Sequence, residues 1–309
     1  MEENFKEIDL GNSKIIGKGQ CAEVYGYDEN RVVKLFYENI GIETILHEYR
    51  VTSECFAKGL SAAECFELVR YRGRTGILMQ RVCGVSVEQE ILKHPEKANE
   101  YARKMADTLA CVHSKQIKGS AIPAADEFYS ECIENCRKDG WISEAESRKL
   151  TEFVAAIPCK QTLIHGDYHV LNLMTENDTL RLIDLADVQT GNPVFDLLIA
   201  NLYLHYLPEN LEELYRTLIR IPPEVSLAMW DVFLRTYFQT EDAERIRRIE
   251  KILDTYSLLK IMLAPYSFSN LPEQAASGFV EMARDLLMPV IDSYTGVIPE
   301  DIAELAKEN

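Results

Sequence analysis

The 309-residue chain has no apolar run long enough to cross a bilayer, so a membrane is not expected among its partners. Its start, MEENFKEIDL, lacks a basic segment and an apolar core, so no secretory leader is expected and a cytoplasmic protein is. There is no CxxC pair: the eight cysteines fall between Cys21 and Cys159. Cys132 and Cys136 are spaced to share a helix face, but no further His or Cys pair completes a zinc set, which leaves reduced, structural thiols. Positive charge is scarce as well. With 33 basic against 50 acidic residues the net charge is −17, which excludes non-specific nucleic-acid binding. It favours cationic or neutral substrates over anionic ones, beside the plainer reading of a solubilising surface. Internal repeats and low-complexity tracts are absent too.

What is present divides at about Gly84. Before it, KIIGKG, AEVYGY and RVVKLFY read as short strands, and apolar residues at helical spacing over 42–57 read as a helix. CFELVRY and TGILMQRV, joined by Arg72-Gly73-Arg74, then read as a hairpin. After Gly84 helices dominate, over 96–115, 125–138 and 143–156. QTLIHG and LRLIDLA are short β-type pieces, and beyond Pro193 the pattern is helical with breaks near Pro208, Pro222, Pro265 and Pro272. The expectation is an α+β chain, with a β-rich lobe at 1–84 and a larger, mainly helical lobe at 85–309.

Three constellations carry chemistry. GKGQCAEVY sets Gly17 and Gly19 in a strand–turn–strand, where bare backbone can approach phosphate oxygens, and Lys34 on the next strand can reach the same phosphates. Glu48, on the helix, can pair with Lys34. Each alone is as well explained by an ordinary hairpin turn and surface charges. HGDYHVLN, residues 165–172, is different. Its pattern HGDxHxxN would arise by chance about 10⁻⁴ times in a chain of this length, so it is a signal. Asp184 comes twelve residues after Asn172, in LIDLADVQTGNPVFDL. Carboxylate and amide oxygens gathered in this way suit Mg²⁺, which takes one or two carboxylates and completes its shell with substrate phosphates.

HGDYHVLN, with IDLAD and GNPVFDL after it, resembles the aminoglycoside phosphotransferase and choline kinase family, which has a bilobal protein-kinase-like fold. GKGQCAEVY, Lys34, Glu48 and LMQRV fall in the family's order, so the resemblance covers most of residues 14–200. It implies an ATP- or GTP-dependent kinase acting on a hydroxyl of a small molecule. Gly17 and Gly19 would cover the phosphates, and Lys34, braced by Glu48, would hold them. Met79, Gln80 and Val82 would form the hinge, with the backbone of Gln80 and Val82 meeting the base. Asp167 would accept the hydroxyl proton, and Asn172 and Asp184 would hold Mg²⁺. His165 and Asp196 would support the catalytic loop, and His169 would lie near the transferred phosphoryl group; the plainer reading of His169 is a hydrogen bond to the loop backbone that keeps Asp167 in place. The chain departs from the pattern at Ala22, where protein kinases have a third glycine, at Cys21 near the loop tip, and at Asn192, where many relatives have aspartate.

A protein kinase is the nearest rival, but Asp184 is not succeeded by a long activation segment with an APE-like end. A nucleotide-binding scaffold is the rival of another class, and the joint presence of Lys34, Asp167, Asn172 and Asp184 argues against it. The acceptor is open. Trp230, Tyr237, Phe238, Tyr256 and Tyr266 could cage a quaternary amine, and Glu241, Asp242 and Glu244 could receive amines. Core packing and a solvated face are the plainer readings of the two groups.

Overall fold

A computed structural model of the chain describes residues 5–115, 122–267 and 273–293. The chain forms two compact units, residues 1–90 with 170–187, and residues 91–169 with 188–309. The chain passes from the second unit to the first between His169 and Val170, inside the HGDYHVLN motif.

In the first unit the strands are β1 (Lys6–Glu7), β2 (Ile15–Lys18), β3 (Ala22–Gly26) and β4 (Arg31–Phe36). Helix α1 (Ile42–Ala57) comes next, then β5 (Cys65–Tyr71), β6 (Arg74–Gln80) and β7 (Val85–Ser86), which leads into α2 (Val87–Lys93). The sheet order is β1-β5-β6-β4-β3-β2, antiparallel throughout except for the β1–β5 pair. Alternation along β4 buries Val33 and Leu35 with Leu10, Val69 and Leu78 on one face. Phe36 packs with Ala22, Ile77 and Ile45 of α1 on the other. The expected strands and helix are found, and α1 has the bounds expected. β1, β7 and α2 are additions, each too short to announce itself by periodicity.

The later segment of the same unit holds β9 (Leu173–Glu176) and β10 (Thr179–Leu182), with β8 (Thr162–Ile164) preceding them in the chain. β9 and β10 form a hairpin whose two turn residues, Asn177 and Asp178, both have positive φ, as the twist of a tight hairpin requires. β7 pairs with β9, which ties residues 85–86 to this hairpin. Gly84 must be glycine, because a Cβ there would stand 1.8 Å from the carbonyl oxygen of Thr175.

The second unit is built from helices around β8 and β11 (Gln189–Gly191), which pair antiparallel. Its helices are α3 (Ala98–His113), α4 (Ala125–Lys138), α5 (Glu144–Ala155), α6 (Val194–Asn201), α7 (Leu207–Asn210) and α8 (Glu212–Leu218). They continue as α9 (Pro223–Tyr237), α10 (Ala243–Met262), α11 (Ala264–Ser267) and α12 (Glu273–Ile291). Helix α3 packs on α9, and α10 packs on α6 and α12. Every residue of α6 is buried, so this helix is apolar on all sides apart from Asp196 and Asn201. α6 and α7 are joined by a π-helical turn, Leu202–Tyr206, so the break expected near Pro208 is a widened turn just before it. Pro222 and Pro223 mark the start of α9. Pro265 falls within α11, and Pro272 lies outside the described residues. Among the described residues no helix is long and apolar enough to cross a membrane.

Candidate active site

In the first unit, β4 and α1 bring Lys34 and Glu48 together. The Lys34 ammonium donates to Glu48 Oε1 at 2.6 Å and to Asp184 Oδ1 at 3.0 Å. Burial opposes the charge on Lys34, but the two carboxylates outweigh it and hold its pKa above the lysine range. Glu48 is 5% exposed, and its carboxyl is pushed up by burial, against the pull of Lys34. Asp184 sits in the left-handed region with φ 58°, a conformation that Asp and Asn tolerate better than other side chains. Asn172 is buried, and its backbone carbonyl accepts from Ile183 N at 3.1 Å, which sets its strand beside the residue preceding Asp184.

The donor chemistry at Asn172 and Asp184 fits Mg²⁺. One carboxylate and one amide oxygen are the modest set expected of an ion that completes its shell with phosphate and water. Among the described residues no group of three His, Cys, Asp or Glu forms an all-protein cage.

Gly17 and Gly19 flank the turn between β2 and β3, where Gly19 N donates to Ala22 O at 2.9 Å. Neither has a positive φ, and a Cβ at either would meet only ordinary contacts, so the protein itself does not require glycine there. In the segment expected to serve as the hinge, the Gln80 N–H is taken by Glu64 O at 2.7 Å, and its side-chain oxygen accepts from Arg181 at 3.0 Å. Cys83 N donates to Glu176 just beyond Val82.

In the second unit the loop carrying Asp167 is held from behind by Asp196. One carboxylate oxygen accepts from His165 N and the other from Gly166 N, each at 2.7 Å. Gly166 has φ 82°, so the turn requires a glycine. The Tyr168 hydroxyl, fully buried, donates to Met105 O in α3 at 2.7 Å. His165 Nδ1 accepts from Asp167 N at 3.3 Å, and its buried Nε2 has no partner among the described residues.

Asp167 Oδ2 accepts from His169 Nε2 at 3.2 Å, and the His169 ring lies 4.5 Å from the ring of Tyr203. Burial raises the Asp167 pKa, but His169, Lys260 and His165 more than offset this and hold the carboxyl well below the usual range. Asp167 is therefore a carboxylate at neutral pH. His169 is buried against it, which favours the bracing arrangement for that histidine.

Two residues of this loop's support escaped the sequence reading. His113, at the end of α3, donates through Nε2 to Asp196 at 3.0 Å. A carboxylate only accepts, so in the neutral ring Nδ1 is left to accept from the Tyr237 hydroxyl at 2.6 Å. Its signal was its position: His113 is four residues after Leu109, on the buried stripe of α3. Tyr203 carried no local signal.

The aromatics considered for a cage are mostly engaged elsewhere. Trp230 is buried and stacks on Phe233, which stacks in turn on Tyr237, and Tyr256 stacks on Phe153. Tyr266 donates to Asp139. Asp242 caps α10, accepting from Glu244 N and Arg245 N, and Glu241 pairs with Arg235. The plainer readings of these residues hold.

The model of the phosphotransferase enzyme family matches residues 32–221, more than half of the chain. The chain belongs to this family. By family it is a phosphotransferase, in agreement with the kinship its motifs suggest. No curated protein sequence matches it. Among solved structures, a choline/ethanolamine kinase family protein from Mesorhizobium loti is similar with a TM-score of 0.57 and 12% identity, over 96% of this chain and 93% of that one. The ADP-bound aminoglycoside phosphotransferase APH(2'')-Ib gives 0.56 at 16% identity, over 90% and 95%. APH(2")-IIa, in a ternary complex with streptomycin and ATP, gives 0.54 at 15% identity, over 89% and 91%. At such identities the likeness concerns the fold alone, and that fold is the expected protein-kinase-like α+β architecture.

Proposed function

We propose that the chain is a small-molecule kinase that moves the γ-phosphoryl group of ATP or GTP to a hydroxyl of its acceptor. The observation that carries this reading is Asp167, a partly exposed carboxylate kept ionised on a loop whose backbone N–H groups are satisfied from behind. Such a group can orient a hydroxyl and take its proton as the oxygen–phosphorus bond forms and the bond to the nucleoside diphosphate breaks. His169 holds the carboxylate in one orientation while this happens.

The first unit handles the nucleotide. Lys34, steadied by Glu48, binds phosphate oxygens. Gly17 and Gly19, free of any steric need within the protein, let backbone amides approach them. The Gln80 carbonyl and the Val82 N–H meet the base. Asn172 and Asp184 hold Mg²⁺, which when bound neutralises charge on the phosphates. The acceptor is a hydroxylated small molecule, cationic or neutral, in keeping with the net charge of −17 and with the streptomycin bound by a protein of similar fold. Eight free cysteines support a cytoplasmic setting. The short path from Asp187 through β11 into α6 leaves no activation segment and disfavours a protein kinase.

The test is nucleotide titration with and without Mg²⁺. Asp184→Asn keeps the left-handed backbone tolerable and removes the charge, and the comparison with and without Mg²⁺ separates the metal contact from the bond to Lys34. It should erase most of the Mg²⁺-dependent gain in affinity. A gain equal to that of the parent protein would remove Asp184 from the metal.

A further inference from the structure

The π-helical turn Leu202–Tyr206 joins α6 to α7, and two of its side chains do something unusual. His205 is 8% exposed and faces carboxylates with both ring nitrogens. Nδ1 lies 3.1 Å from Asp254 of α10, and Nε2 lies 2.9 Å from Glu209 of α7 and 3.6 Å from Glu250 of α10. Nδ1 hydrogen-bonds to Asp254, and Nε2 stands within ion-pairing distance of Glu209 and Glu250, an arrangement that suits an imidazolium. The cluster is cross-braced. The Trp230 indole of α9 stacks on the His205 ring and donates to Glu250 at 3.1 Å, and Asn201 of α6 donates to Asp254 at 3.1 Å. Tyr203 is the second side chain, with its ring 4.5 Å from that of His169, whose Nε2 holds Asp167.

A π-turn carries an extra residue, which rotates the side chains before it by about 100° relative to those after it. An uninterrupted α-helix through Leu202–Tyr206 would therefore aim Tyr203 elsewhere. We propose that this turn is a positioning device in which His205, clamped as a cation by Asp254, Glu209 and Glu250, sets the turn so that Tyr203 braces His169 against Asp167. Tyr203 and His205 are positioning residues; the proposal rests on the reading of Asp167 as the base. Burial works against the charge on His205, but the hydrogen bond to Asp254 and the charges of Asp254, Glu250 and Glu209 outweigh it and raise its pKa. A raised histidine pKa means that the clamp is complete at low pH and is lost as pH rises through the folded-state value.

The experiment uses the full chain with ¹³C-labelled histidine and hydrolysis of Mg-ATP, water serving as the acceptor. Glu209→Gln removes one carboxylate charge at the exposed rim of the cluster. It should lower the His205 titration midpoint seen by NMR and shift the alkaline fall in turnover by the same amount, with KM for ATP unchanged. Tyr203→Leu should cost roughly tenfold or more in kcat, again at constant KM, and uncouple turnover from His205, whereas Tyr203→Phe should restore both. A turnover limb that stays put while the His205 midpoint moves overturns the proposal. So does parental turnover in Tyr203→Leu. Should the parent chain hydrolyse no ATP, phosphoryl transfer to supplied acceptors tests the kinase reading separately, and the His169 ring resonances still decide the coupling. They track the His205 midpoint in the parent and not in Tyr203→Leu if Tyr203 braces the ring; independence in the parent contradicts it.

Discussion

His169 shows how one contact changes the meaning of a residue. Its place two positions after Asp167 allows either a phosphate contact or a bracing role, and the 3.2 Å bond to Asp167 with the Tyr203 ring close by favours bracing. His169→Ala should then lower both rate and stability. Loss of a charge-assisted hydrogen bond and a ring contact amounts to about 2 kcal/mol, and the freed Asp167 should cost roughly tenfold or more in kcat. Urea unfolding and turnover on one preparation check this; a slower variant of parental stability would return His169 to the phosphate. At this scale the sequence was legible where chemistry is local. HGDYHVLN identified its own polar residues, but nothing in it pointed to His113 or Tyr203, which arrive from distant helices through tertiary packing.

Between elements, the Lys34–Glu48 pair ties β4 to α1. The helix and the strand carrying Lys34 were readable from periodicity, and the pairing was inferable from their order. Lys34→Met should leave Glu48 buried without its cation, a loss of about 3 kcal/mol at pH 7. The sign of the pH dependence is set by burial, which raises the folded-state pKa of Glu48. A raised carboxyl pKa means that the protonated form suits the fold, so stability is retained at low pH and lost as pH rises. The melting temperature of Lys34→Met should therefore approach that of the parent near pH 5 and fall away towards pH 8. A pH-independent difference would mean that Glu48 finds water or another partner. The π-turn was the least legible element: LYLHY has the composition of an ordinary buried helix, and its extra residue is fixed by the His205 cluster rather than by local propensity.

Over the whole molecule, β-rich and helical regions were legible because their periodicities differ, whereas the assignment of residues 170–187 to the first unit depends on pairing between β7 and β9 that no local pattern announces. Phosphoryl transfer to a small hydroxylated acceptor, with Asp167 as the base, unites these elements. Its most direct test is ³¹P NMR of the chain with Mg-ATP and a panel of hydroxylated amines, sugars and nucleosides, run beside Asp167→Asn. The parent should convert the γ-phosphate of ATP into the phosphomonoester of at least one acceptor. Asp167→Asn should bind ATP equally well and form the ester at least about a hundredfold more slowly. Equal rates in the two proteins, or bound ATP with no ester from any acceptor, would contradict the account.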